Sequence, residues 1–244
     1  MPEHTFHTHE PVELEVKIPA GDVEIETIDG DQSFVEVTGS DRLVEQTVVE
    51  QRGRRIVVDH RARGWLGVSF GSSLRVHARV PHGSSAELST AAADMALSGR
   101  FGSLETRSAS GDLVVRGEIE RDARVKTVSG DVQLPAVGGD LELQTVSGDA
   151  EATSVAGDVR AKSVSGDVRV EVVRQGKVTA QSVSGDIAVG IAPGTNLDVD
   201  AGSVSGELAS EVALGSDAGI VGDGPTVVVR GKTVSGDFTV FRAA

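Results

Sequence analysis

The stretch SGDVQLPAVGGDLELQTVSGD, residues 129–149, decides how this chain is read. It opens on Ser129-Gly130-Asp131 and closes on Ser147-Gly148-Asp149, eighteen residues further on. A looser corner, Gly138-Gly139-Asp140, stands midway, nine residues from each acid. Apolar residues sit one and three places after Asp131 and Asp140, with Gln133 and Glu142 between them. Alternation with a period of two marks a strand with one buried face. Gly at a corner allows a positive φ or a close approach, and Asp and Ser can bond nearby backbone. Nine residues with four in the turn leave no room for a helix, which needs about eight or more.

The same tripeptide recurs outward from this stretch, ending on Asp112, Asp131, Asp149, Asp167, Asp186 and Asp237, with Glu207 as a variant. Successive acidic positions, from Asp112 through Glu207 to Asp237, lie 19, 18, 18, 19, 21 and 30 residues apart. A degenerate corner precedes them at Asp94, and weak half-way corners fall at Asp122 and Asp158. At the other half-way points stand Lys177 and Ser103. Strict and loose corners alternate, so the unit is two strands and two turns. The expected fold is all-β, a parallel β-solenoid of about 18–19 residues per coil, whose strands stack roughly 4.8 Å apart. A two-sided coil fits this length, with a three-faced coil as the alternative.

Residues 1–83 alternate as strands, for example Val12 to Ile18 and Leu74 to Val80, without that punctuation. They are expected to form a β-rich N-terminal cap or irregular first coils, with an irregular loop at 61–67. Residues 84–244 are then the solenoid with a C-terminal closing segment. In that segment 209–225 reads as a loop crossing the terminus, and Phe238 and Phe241 as part of the closure. Such ends matter because an open sheet edge is a template for aggregation.

Composition agrees with a thin core. Aromatic residues make up 3%, there is no Tyr and one Trp, and Gly numbers 30. Small and β-branched side chains suit closely spaced strands better than rings do. A net charge of −14 argues against nucleic acid, which demands Lys and Arg for its phosphates. With no Cys, disulfide and thiolate chemistry are excluded. The N-terminal segment lacks the apolar run of a signal peptide, and no stretch approaches the roughly 20 apolar residues of a membrane span. A cytoplasmic location is the resulting expectation.

The recurring Thr-Val-Ser-Gly-Asp-Val, the segment from Val80 to Ser85, the segment from Ala192 to Thr195 and the ending from Arg230 to Phe238 carry a resemblance. Over nearly its whole length the chain resembles the bacterial β-strand-repeat proteins labelled "putative adhesin". The resemblance implies a parallel β-solenoid. It implies no reaction and no catalytic residues, so no functional residue is carried over.

Two columns follow if the coils stack in register. Asp112, Asp131, Asp149, Asp167 and Asp186 would line one edge, where neighbouring carboxylates repel by about 0.8 kcal/mol in a water-like dielectric. Each Asp is expected to offset this by accepting backbone N–H groups within its own turn. Bound divalent cations are the sharper alternative, although calcium-binding nonapeptide solenoids carry Gly-Gly-x-Gly-x-Asp, with more carbonyls to complete the shell. A ladder of Ser108, Thr127, Thr145, Ser163, Ser182, Ser203 and Thr233 runs beside the acids. One residue earlier stand Arg107, Lys126, Gln144, Lys162, Gln181, Gly202 and Lys232. Both columns are expected on a flat solvated face, which could bind a glycan, a peptide strand or another solenoid.

His4, His7 and His9 read as a frayed terminus rather than a metal cluster. His60 and His77 have no partner visible in the sequence, and Gly219, Gly222 and Gly224 form no phosphate loop. A Ser-His-Asp triad fails because no His accompanies the repeats. No catalytic, cofactor or metal residue is therefore assigned. The expected function is a non-enzymatic scaffold or interaction protein with a regular binding surface and an unidentified protein or glycan partner, or itself. A divalent-cation-dependent adhesin-like module is the first alternative and a polysaccharide-active β-helix enzyme the second.

Overall fold

The computed structural model of the protein describes residues 3–61, 73–210 and 224–243, and structural statements concern these. Most of the expected loop at 61–67, most of the crossing segment 209–225, and Gly219 and Gly222 lie outside the described residues. The chain is all-β and packs as two compact units, residues 1–120 and 121–244.

The second unit shows the solenoid most plainly. Its strands are β10 (Ala123–Lys126), β11 (Val132–Val137), β12 (Leu141–Gln144), β13 (Ala150–Val155), β14 (Val159–Lys162), β15 (Val168–Val173), β16 (Gly176–Gln181), β17 (Ile187–Ile191), β18 (Asn196–Ser203), β19 (Leu208–Ser210), β20 (Thr226–Thr233) and β21 (Phe238–Arg242). Even-numbered strands pair in parallel on one side, as in β10–β12, β12–β14 and β14–β16. Odd-numbered strands β11, β13, β15 and β17 do the same on the other. One coil is thus two strands, and the two-sided form is the one observed. Inward residues such as Leu134, Leu143, Ala152 and Val170 are at most 4% exposed and fill the space between the two sides.

Chain order and stacking order part company near the end of this unit. Strand β20 pairs with β16 on one edge and β18 on the other. Strand β21 likewise lies between β17 and β19. The coil of residues 226–242 is therefore interior, and the earlier coil of residues 196–210 is outermost. The expectation that Phe238 and Phe241 close the stack is corrected accordingly. Phe238 is 1% exposed inside a coil, and its ring occupies the space that a Cβ on Gly231 would need. A large ring fits this thin core because glycine stands opposite it. Phe241 points outward, with the Arg169 guanidinium 5.0 Å from its ring centre.

The first unit contains β1 (Glu3–His7), β2 (Glu13–Ile28), β3 (Gln32–Thr38), the short helix α1 (Asp41–Glu45), β4 (Thr47–Arg52), β5 (Arg55–His60), β6 (Leu74–Pro81), β7 (Ser85–Phe101), β8 (Leu104–Arg107) and β9 (Leu113–Ile119). The long strand β2 pairs in parallel with β7 on one edge. Its other edge pairs in parallel with β5 and then β6. Here, by contrast, the coil formed earlier in the chain is interior, since β5 and β6 lie outside β2. Antiparallel strands cover that outer coil: β4 lies on β5, β3 on β6, and β1 on β3. The terminus carrying His4 and His7 is thus an ordered strand rather than a frayed one.

A candidate binding surface at the repeat corners

Each Ser-Gly-Asp corner is fastened to the coils on either side of it. In the second unit the Asp149 backbone N–H donates to Asp131 Oδ1 at 3.0 Å, and Asp167 N–H to Asp149 Oδ1 at 2.9 Å. Asp186 N–H donates to Asp167 Oδ1 and Asp237 N–H to Asp186 Oδ1, both at 2.8 Å. Glu207 N–H then donates to Asp237 Oδ1 at 2.7 Å. The loose corners repeat the device, Asp140 N–H to Asp122 and Asp158 N–H to Asp140, each at 2.9 Å. In the first unit Asp112 N–H donates to Asp94 Oδ1. The carboxylates therefore accept from the following coil, not from their own turns as expected. Hydrogen bonds to a charged acceptor contribute about 1.5–3 kcal/mol each, which outweighs the repulsion along the column.

The hydroxyl ladder is inverted relative to expectation. Ser108, Thr127, Thr145, Ser163, Ser182 and Thr233 are buried, between 3% and 9% exposed. The oxygens of Thr145, Ser163, Ser182 and Thr233 accept the glycine N–H of the same corner, as in Gly148 to Thr145 at 3.1 Å and Gly166 to Ser163 at 3.0 Å, whereas Ser108 and Thr127 donate to the Ser110 and Ser129 carbonyls. Ser163 Oγ in turn donates to the Gly166 carbonyl at 2.6 Å. A hydroxyl satisfied in this way can be buried at little cost. The residue after it then faces solvent: Val128, Val146, Val164, Val183 and Val234 are 42–50% exposed, and Val204 in the outermost coil 81%. Val137 and Val155, at the loose corners, are buried instead.

Glycine is required by proximity. A Cβ on Gly148 would lie 2.0 Å from the Gly130 carbonyl oxygen, and one on Gly166 2.0 Å from that of Gly148. Neither residue has a φ in the left-handed range, so crowding between coils, not turn handedness, excludes a side chain.

Two outward columns run along the even-numbered strands of the second unit. Cross-strand register aligns Arg124, Glu142, Arg160, Thr179, Arg230 and Asp200 in one, and Lys126, Gln144, Lys162, Gln181, Lys232 and Gly202 in the next. Arg124 donates to Glu142 at 2.8 Å and Lys126 lies 3.7 Å from it. These neighbours, the Arg124 hydrogen bond foremost, hold the Glu142 carboxyl below its usual range. In the first unit Glu15 is likewise lowered, chiefly by its hydrogen bond from Lys17 and also by Arg55.

The histidines are not gathered. His60 Nδ1 lies 3.1 Å from Thr47 Oγ1, and His9 lies 3.9 Å from Asp31. Among the described residues no group of three or more His, Asp or Glu is placed to hold a metal ion. No helix among them is long and apolar enough to cross a membrane.

A solved structure named a "putative adhesin" from Parabacteroides distasonis ATCC 8503 aligns with a TM-score of 0.57 at 15% identity, covering 98% of this chain and 96% of that one. A "putative adhesin" from Bacteroides fragilis NCTC 9343 aligns at 0.49 and 13%, and a "putative lipid binding protein" from Parabacteroides distasonis ATCC 8503 at 0.46 and 16%, each covering 98% of this chain and 96% of the other. At these identities the first alignment shows a shared fold. No curated protein matches in sequence. The family model described as Toastrack DUF4097 matches residues 12–241, and the chain belongs to that family.

Proposed function

We propose that the protein is a non-enzymatic scaffold or interaction module that presents ruled outward columns to a partner. One observation carries this reading: the repeat's Asp, Ser and Thr side chains are spent on fastening coils and closing corners. What each coil leaves for other molecules is its outward Lys or Gln, its valine and the shape of its face. The adhesin name of the Parabacteroides distasonis neighbour agrees with binding rather than turnover. A divalent-cation-dependent adhesion module is the rival, since the column of acids could gather cations along its exposed edge.

Thermal melts of the full chain with calcium and with chelator, run beside assays for reducing ends released from polysaccharides, test the class. An unchanged midpoint and no release are expected. A midpoint lowered by chelator would favour the cation module, and release of reducing ends would make the protein an enzyme.

A further inference from the structure

The column Lys126, Gln144, Lys162, Gln181, Lys232 alternates cation and amide through five successive coils. In chain order the alternation fails, because Gly202 would precede Lys232. It holds only in the stacking order, with β20 inserted between β16 and β18. The pattern therefore belongs to the folded surface. Strands lie roughly 4.8 Å apart, so the lysines recur about every 10 Å. The adjoining column places Arg124, Arg160 and Arg230 in the same three coils.

Internal pairing does not account for the lysines. Cross-strand ion pairing would place acids opposite them, whereas their neighbours are glutamines. Among the described residues Lys162 and Lys232 enter no ion pair, and Lys126 reaches only Glu142. The arginine column differs here, since Arg124 meets Glu142 and Arg160 lies within 4.0 Å of both Asp140 and Asp158.

Two residues beyond each lysine or glutamine, on the same side of the chain, lies an exposed valine: Val128, Val146, Val164, Val183 and Val234. Lysine and valine columns thus run side by side, the valines at the bend that ends each strand, a lane one cation wide with an apolar margin. Beyond the valines stand the exposed acids of the strict corners.

We propose that this lane binds a linear polysaccharide bearing one carboxylate on every second sugar, laid along the stack with its acids on the lysines and its ring faces on the valines. The proposal rests on the reading of the protein as a binding module and names the partner's class. Phosphates of a duplex strand advance about 3.4 Å along the helix axis, far from the lysine period. An anionic bilayer would meet the acid column as well as the lysines. A single polymer chain meets the lysines alone. Binding of this kind would place the protein outside the cytoplasm expected from its sequence.

Hyaluronan, with one carboxylate per disaccharide, is the probe. The full chain is tested on it alongside neutral dextran, polyphosphate and phosphatidylglycerol vesicles, with thermal melts of every variant. The triple variant Lys126→Gln, Lys162→Gln, Lys232→Gln places in three coils the residue that two others already carry, so its melt should match the parent. Salt-sensitive retention on hyaluronan is expected, about tenfold weaker in the triple variant and unchanged in Arg169→Gln on the opposite side. Absence of hyaluronan binding, equal binding by the triple variant, or stronger retention on vesicles or polyphosphate would each overturn the lane. None of these outcomes bears on the non-enzymatic reading, which the calcium melts and turnover assays decide.

Discussion

The outermost coils of the two units solve the problem of an open sheet edge differently. In the first unit β5 and β6 lie outside β2, and antiparallel β4, β3 and β1 continue the hydrogen bonding beyond them. Ile56, Val58, Leu74 and Val76 are accordingly at most 1% exposed. In the second unit β18 and β19 pair only with β20 and β21 among the described strands. Val204 is 81% and Leu208 50% exposed there, and the outward Asp200 stands in the column that holds Arg124, Arg160 and Arg230 in other coils, with Asp198 exposed beside it. Charge on an edge strand discourages pairing with a foreign strand. One end is covered with more sheet; the other is left bare of described strands and made acidic. The difference shows that a coil buries its apolar residues where it has a neighbour on both sides and leaves them open where it has one.

Removing residues 226–244 gives the sharpest test, because it takes out an interior coil. Hydrogen exchange should then show protection lost over 196–210 as well, although those residues remain. Retained protection there would mean that stacking follows chain order. Next in size, Gly148→Val should lower the unfolding free energy by several kcal/mol, given a clash with backbone that cannot yield. Gly202→Ala, in the outermost coil with open space at its Cβ, should shift the midpoint hardly at all. A matching pair of melts would remove the contrast between interior and outer coils.

Smaller effects probe the acid column. Asp167→Ala leaves the Asp186 N–H without its acceptor and should cost about 1–3 kcal/mol by chemical denaturation. Glu207→Ala should cost less than about 0.5 kcal/mol, since no described N–H donates to its carboxylate. The smallest effect concerns Glu15, whose carboxyl the native state holds below its usual range through Lys17 and Arg55. A lowered native pKa gives stability that is present above the unfolded value, about 4.3, and lost as pH falls through the native one. Glu15→Gln should therefore destabilise by under about 1 kcal/mol at pH 7, with the gap closing as the solution is acidified below that range.

The corners at Asp131, Asp149 and Asp167 revealed coil length, strand alternation and parallel stacking, because a fixed period leaves one geometry that buries every second side chain. Their finer chemistry was harder to read. Alternation through Lys162, Ser163 and Val164 is preserved in space, yet the expectation placed the hydroxyl outside because a polar residue usually is. What reverses this is the glycine N–H three residues ahead, a bond that only the folded corner reveals. Stacking order was hidden for another reason. The 30-residue gap from Glu207 to Asp237 reads equally well as a loop past the last coil or as a return into the stack. The alternation of lysine and glutamine was the available signal, since it is regular only if the later coil is placed first.

The inserted coil also sets an order of events during synthesis. Residues 196–210 emerge from the ribosome before 226–242, yet every described strand they pair with belongs to the later segment. They must therefore wait, unpaired, while the later residues are translated and dock against β16 and β17. A chain interrupted in that interval carries an unfinished segment with Leu197, Val199, Val204 and Leu208 still uncovered, and this window is when chaperones or proteases would find it most accessible.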